Sequence, residues 1–197
     1  MKSLPVLSAL LLLLFVFPVG LAAYPRSGEV VVAVRVEGAI TPATRELVQE
    51  AYGYGLGRGA QAMLILLDTP GGELDATLRI VELMERSEIP WIVYVYPEGA
   101  KAWSAGAFIL MASHMAAMAP YTVVGSAQPV SYNPVQGSTP VRDEKTVNAL
   151  SAFIAERARM HNRNETAAEL FVRENLNLNA EEALRHRVVD VVAPGIR

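Results

Sequence analysis

A chain of 197 residues with 52% apolar side chains is long enough to bury one substantial core and fits one domain. Its net charge of −3 comes from basic and acidic residues mixed along the chain, with no cationic stripe for a phosphate backbone, so nucleic acid is set aside as a partner. There is no cysteine, which excludes disulfides, thiol catalysis and thiolate metal sites.

Met1 to Ala23 opens with Lys2, continues through VLSALLLLLFVF and ends on Pro18, Gly20 and small residues. This is the pattern of a secretory signal, with cleavage expected after Ala22 or Ala23. The alternative is an N-terminal membrane anchor, since Leu4 to Ala23 gives 20 residues without a charge. Either reading places the remaining domain, 24–197, outside the cytoplasm.

EVVVAVRVEG (29–38) reads as a buried strand, and Thr41-Pro42 as the cap and first-turn proline of a helix running through LVQEAYGYGL. GYGLGRG (53–59) ends that helix and fails the GxGxxG phosphate pattern at Arg58, so it is read as a helix stop. AMLILLD (62–68) is a second strand, covered on both faces. After TPGG, Glu73 to Arg86 forms an amphipathic helix with Leu74, Leu78, Val81 and Met84 on its apolar stripe. WIVYVY (91–96) is a strand, PEGAKAW a loop and SAGAFILMASH a short helix, followed by two extended pieces, MAAMAP and YTVVGSA. Residues 128–143, with three prolines, are expected to be a long exposed loop and the mobile part of the domain. Helices at 144–160, about 165–174 and NAEEALRH, the last capped by Asn179, lead to a final strand VVDVVA (188–193). Strands alternating with helices indicate an α/β domain with a largely parallel sheet.

The chemistry centres on Ser104 and on Gly71-Gly72. Glycines between a buried strand and a helix can aim backbone N–H groups at a bound carbonyl. If Ser104 opens its helix, the N–H of Ala105 also points forward. Two such donors make an oxyanion hole, each worth ~2.7–4 kcal/mol in a transition state. The plainer reading makes PGG a turn and Ser104 a helix cap. His114 follows Ser104 by ten residues, roughly 15 Å along a continuous helix, and does not reach it. His161 and His186 sit in polar helix-end contexts and are read as exposed. The three histidines form no metal-ligand pair, and no cofactor or metal is expected. Lysine serves as a base when its amine is neutral, a form that burial or a helix N-terminus favours. Lys145 lies in the first turn of the helix from Glu144, with Asp143 as its cap, whereas Lys101 reads as an ordinary surface lysine. Arg142 either orients substrate or is simply exposed. Asn164-Glu165-Thr166 is a weak glycosylation sequon.

LDTPGGELDATLRIVELM, KAWSAGAFILMASHMAAMAP, EKTVNALSAFI and LNAEEALRHRVVDVV together resemble the protease domain of the NfeD-type membrane proteases, stomatin-operon partners of the ClpP/crotonase superfamily. The resemblance covers about residues 29–193. It implies a spiral of ββα units, a homodimer or higher homo-oligomer, and a serine endopeptidase that needs no ATP. It places the nucleophile on Ser104, the general base on Lys145, and the oxyanion donors on the backbone of Gly72, Ala105 and, less firmly, Gly71. The catalytic histidine of ClpP would fall near Ala127, so a Ser-Lys dyad is implied. The implied substrates are hydrophobic peptide or membrane-protein segments, such as the tail of a stomatin-like protein, at a membrane. Family members usually continue into membrane helices and a small β-barrel, and they carry a helix-ending glycine where this sequence has Arg187. Two alternatives remain: a crotonase-type acyl-CoA enzyme, and a non-catalytic peptide-binding scaffold of the same fold.

Overall fold

The computed structural model describes residues 28–133, 137–141 and 143–195. The signal or anchor expected at 1–23 and the role considered for Arg142 lie outside the described residues. No helix among the described residues is long and apolar enough to cross a membrane.

The valine-rich segment forms strand β1 (Val31–Glu37), which leads to helix α1 (Pro42–Arg58). Thr41 caps α1 through Thr44 N–H, Pro42 occupies its first turn, and Gly59 closes it in the left-handed conformation. Strand β2 (Ala62–Asp68) then crosses to helix α2 (Leu74–Glu85). Strand β3 (Trp91–Val95) is followed by the short strand β4 (Lys101–Trp103) and helix α3 (Ala105–Met111). Strands β5 (Met115–Met118) and β6 (Val123–Gly125) precede a ribbon of β7 (Val130–Asn133) and β8 (Gly137–Pro140). Helices α4 (Glu144–Met160) and α5 (Glu165–Arg173), strand β9 (Asn177–Asn179), helix α6 (Ala180–Arg185) and strand β10 (Val191–Val192) complete the chain.

The main sheet has the order β1-β2-β3-β5-β10, and every pair in it is parallel. Parallel strands need crossovers, and the first three here share one form: a sheet strand, a short piece in a second layer, then a helix. The fourth, from β5 to β10, adds the ribbon and three helices. In the second layer β4 pairs with β6, β6 with β9, Thr69 bridges Ala102 and Ile40 bridges Gly72. The result is the expected spiral of ββα units. Alternation along the strands then divides the apolar residues. Met63, Ile65, Leu67, Trp91, Val93 and Val95 join the helices in the principal core. Leu64, Leu66, Tyr94, Ala117 and Ala119 form a smaller cluster on the opposite face, so β2 is covered on both sides as its sequence indicated.

Several expectations change. Residues 128–143 are not one long loop: β7 and β8 pair antiparallel, from Val130↔Pro140 to Asn133↔Gly137. Proline is compatible with this pairing because Pro140 closes the end of a two-stranded ribbon. The segment PEGAKAW contains β4, and β9 ends on the expected helix cap, Asn179. The helix after Ser104 stops at Met111 rather than His114, because side chains capture its last carbonyls: Ser113 Oγ donates to Leu110 O (2.7 Å) and Arg163 takes others. The last strand is confined to two residues.

Candidate active site

Ser104 sits between β4 and α3, and both neighbours fix it. Trp103 N–H donates to Thr69 O (3.1 Å), and Ser104 N–H donates to Gly125 O (3.0 Å). The chain must turn sharply from the second layer into the helix, and Ser104 absorbs the turn with φ 50° and ψ −111°. A non-glycine residue in such a conformation carries strain on the order of 1–3 kcal/mol. The hydroxyl does not repay that cost as a cap: its Oγ makes no capping hydrogen bond. Ser104 thus stands at the N-cap position of α3, as the plainer reading has it, but without a side-chain capping bond.

The Gly71-Gly72 turn lies against it. A Cβ built on Gly71, at φ 126°, would stand 2.8 Å from Ser104 Cβ and 3.2 Å from Ser104 Oγ. One built on Gly72 would run into the backbone of Ile40. Thr69 shapes this turn from below. Its buried hydroxyl donates to Gly71 O (3.0 Å) and accepts from Gly71 N–H (3.1 Å). The Gly71 N–H is thus already engaged, whereas the N–H groups of Gly72 and Ala105 have no acceptor among the described residues. The small-residue run also has a packing purpose, since a Cβ on Gly106 would stand 2.7 Å from Thr69 Cγ2. Packing accounts for Gly106; it does not account for the strained, unbonded serine.

Ser104, Ala105 and Gly72 open on a cavity of about 660 Å³. Its walls are mostly apolar: Ile40 and Leu74 on one side, Phe108 and Leu150 below, and Pro129, Val130 and Val141 from the ribbon and its flanks. Leu74, expected on the core stripe of α2, is instead 44% exposed and lines this cavity. Nothing in its spacing could separate it from the core residues that follow. Glu73 and Thr146 supply polar lining, and no lysine or arginine lines the cavity among the described residues.

Lys145 is exposed in the first turn of α4, beside Thr146. Its amine makes no hydrogen bond to Ser104 Oγ in this arrangement. Asp143 caps that helix as expected, accepting from Thr146 N–H (2.9 Å) and Thr146 Oγ1 (2.6 Å). These bonds hold its carboxyl below the usual range. Lys101 pairs with Asp68 (3.3 Å), in keeping with its reading as an ordinary lysine.

No histidine reaches Ser104. Ala127 lines the cavity with only a methyl group. His114 and His161, remote in sequence, meet beyond the opposite end of α3 with ring centroids 5.5 Å apart. His161 is thus half-buried and packed edge-on against His114, not exposed. Among the described residues there is no cluster of three potential metal ligands. Asn164 caps α5 and donates its amide Nδ2 to His186 O (3.0 Å).

The model of the NfeD1b N-terminal domain matches residues 30–193. The chain belongs to this family. It is 40% identical over 167 residues to the membrane-bound protease PH1510 of Pyrococcus horikoshii, covering 85% of this chain and 38% of that protein. The chain therefore spans well under half the length of that curated relative. Two solved structures of 1510-N, named as a membrane-bound stomatin-specific protease, match with TM-score 0.82 and 37% identity over 86% of this chain. One is a serine-to-alanine variant, of which 82% is covered; the other is a lysine-to-alanine variant holding a substrate peptide, of which 78% is covered. The catalytic domain of ClpP from Plasmodium falciparum matches with TM-score 0.61 at 16% identity, over 82% of this chain and 84% of that one. This last likeness concerns the fold alone, and it agrees with the ββα spiral of this NfeD1b domain.

Proposed function

We propose that this NfeD1b domain is a serine endopeptidase that cleaves apolar peptide segments with Ser104 as nucleophile and Lys145 as general base. The observation that carries the reading is Ser104 itself: strained, unbonded at Oγ and set beside Gly72 at the mouth of an apolar cavity. Strain of this kind persists where surrounding structure enforces it, and it clusters at active sites. The solved variants of 1510-N, which change a serine and a lysine, favour the same pair of residue types.

In the proposed reaction the neutral Lys145 amine takes the Ser104 proton as Oγ attacks the peptide carbonyl. The oxyanion forms opposite the N–H groups of Gly72 and Ala105, both without an acceptor among the described residues. Collapse breaks the C–N bond, and the leaving amine takes the proton from Lys145. Water, deprotonated by Lys145, then attacks the acyl carbonyl; the ester C–O bond breaks and Ser104 Oγ takes the proton back from Lys145. Lys145 has to move inward for this, with α4 and the β7–β8 ribbon closing over the peptide; catalytic hydrogen bonds often tighten only when substrate is bound. A stomatin-like membrane protein is the proposed substrate class, following the name of 1510-N, and membrane attachment follows the name of PH1510.

The test is cleavage of an apolar fluorogenic peptide library by the full chain, beside Ser104→Ala and Lys145→Ala. Both variants should fold and lose cleavage by at least about 10³-fold, the scale of losing a catalytic-unit member. Full activity in Lys145→Ala would remove it as the base. A folded parent that binds peptides without cleaving them would make the domain a scaffold. An acyl-CoA enzyme is disfavoured because the described residues of the cavity lining offer no cation for the CoA phosphates.

A further inference from the structure

At the opposite end of α3 from Ser104 lies a buried arginine, paired with a solvent-accessible aspartate, that the proposed chemistry does not use. Arg163 follows α4, and its side chain is only 1% exposed. Its Nη1 donates to three backbone carbonyls, Leu110 O (3.3 Å), Met111 O (3.2 Å) and Ser113 O (2.9 Å). Its Nε and Nη2 donate to the two oxygens of Asp190, at 3.4 and 2.6 Å. Asp190 is itself fixed to the main sheet: its Oδ2 accepts from Ala116 N–H (2.7 Å), and its own N–H donates to Ala116 O (2.9 Å).

A buried guanidinium is expensive to desolvate unless all its donors are matched. An ordinary helix end needs no such device, since water or a left-handed glycine satisfies its last carbonyls. What this arrangement adds is position. One planar group ties the last turn of α3 to the sheet through a fork that a lysine cannot reproduce. The cation also lies at the negative end of the helix dipole. Helix α3 is seven residues long and buried throughout, so it moves as a rigid piece about 10 Å long. A displacement at Met111 is therefore delivered to Ser104 and Ala105 at its start.

We propose that Arg163 and Asp190 are positioning residues that set the placement of Ser104 and the Ala105 N–H through α3. The inference rests on Ser104 being the nucleophile. Arg163→Lys and Asp190→Asn, in the full chain, should fold, keep KM within a few-fold and lose about 10- to 100-fold in kcat, since misplacement by 1 Å costs that much. Reaction of Ser104 with a fluorophosphonate probe should slow in parallel. Glu85→Gln is the control, because it weakens the Arg157–Glu85 contact (3.3 Å) between α4 and α2 without touching α3. At equal stability it should keep its kcat. The inference is overturned if folded Arg163→Lys and Asp190→Asn keep kcat within twofold of the parent, or lose no more than the control. Amide hydrogen exchange across 104–112 separates this outcome from failure of the protease reading. In an inert parent, faster exchange in that segment alone would still support positioning, and unchanged exchange would sink it.

Discussion

Ser104 and Arg187 both occupy the left-handed region, at φ 50° and 56°, and their circumstances differ. Ser104 is locked from both sides by hydrogen bonds, and its neighbour Gly71 has been reduced to hydrogen so that the serine Cβ can approach. Gly71→Ala would add a Cβ 2.8 Å from Ser104 Cβ and would itself be strained at φ 126°. The expected result is a folded domain with kcat/KM reduced by about 100-fold, the scale of a 1 Å misplacement. Activity within a few-fold of the parent would mean that the turn does not set the serine. Arg187 is also bonded on both sides, its N–H donating to Leu184 O (3.0 Å) and its carbonyl accepting from Asn164 N–H (2.9 Å), but it follows the end of α6, where a glycine would be the unstrained choice. Left-handed strain for a residue with a Cβ is roughly 1–2 kcal/mol, partly offset by the extra freedom glycine gives the unfolded chain. Arg187→Gly should therefore raise Tm by a few degrees, about 2–4 °C per kcal/mol for a domain of this size, and leave cleavage unchanged. A lower Tm on calorimetry would show that the arginine side chain contributes more than its backbone costs.

The end of α3 was the hardest element to read from sequence, and it is where acidity should matter. Its apolar run AGAFILM announces a buried helix, but neither glycine nor proline marks its stop. The stop is made by Arg163 and Ser113, and a carbonyl captured from 52 residues away leaves no local signal. Caps that depend on nearby residues were legible by contrast: Thr41, Asp143 and Asn179 all sit at the helix starts their chemistry indicates. Contact between His114 and His161 was likewise invisible, because it follows from the α4–α5 turn folding back on β5. Burial, then the Arg163 charge, lowers the pKa of both rings; for His161 the His114 ring adds to this, while Asp190 and the Ala112 backbone oppose it. His114 Nδ1 accepts from Trp91 N–H (3.1 Å), a bond that requires that nitrogen unprotonated. The folded state therefore favours neutral rings, and the unfolded chain binds protons first as pH falls. Stability should be fully present above the ordinary histidine pKa of about 6.5 and decline from there as pH drops towards the lowered folded values. Urea midpoints between pH 8 and 5 measure this decline, which should flatten in His161→Gln. An unchanged slope in both that variant and His114→Gln would assign the effect to carboxylates.

The cavity is a property of the whole chain, assembled from the ends of three ββα turns and roofed by the β7–β8 ribbon. Ser104 and the glycines were legible because a strand–turn–helix junction imposes residue types locally. The walls were not, because Leu74, Val130 and Leu150 are ordinary apolar residues until the spiral brings them to one opening. Val130 is the informative one. It is 56% exposed on a strand with only one partner, an unfavourable place for a valine unless something else covers it. An apolar substrate segment lying under the ribbon would do so, and burying a valine-sized surface contributes about 1.5–3 kcal/mol. A carboxylate there would have to be desolvated against the peptide instead. Val130→Asp should therefore raise KM for apolar peptides by about 10-fold or more, with kcat nearly retained, because Val130 takes no part in making or breaking bonds. Stability should hardly change, since the side chain already faces solvent in the free protein. If KM is unaltered while longer peptides are still cleaved, the substrate does not pass beneath the ribbon, and the cavity alone selects it.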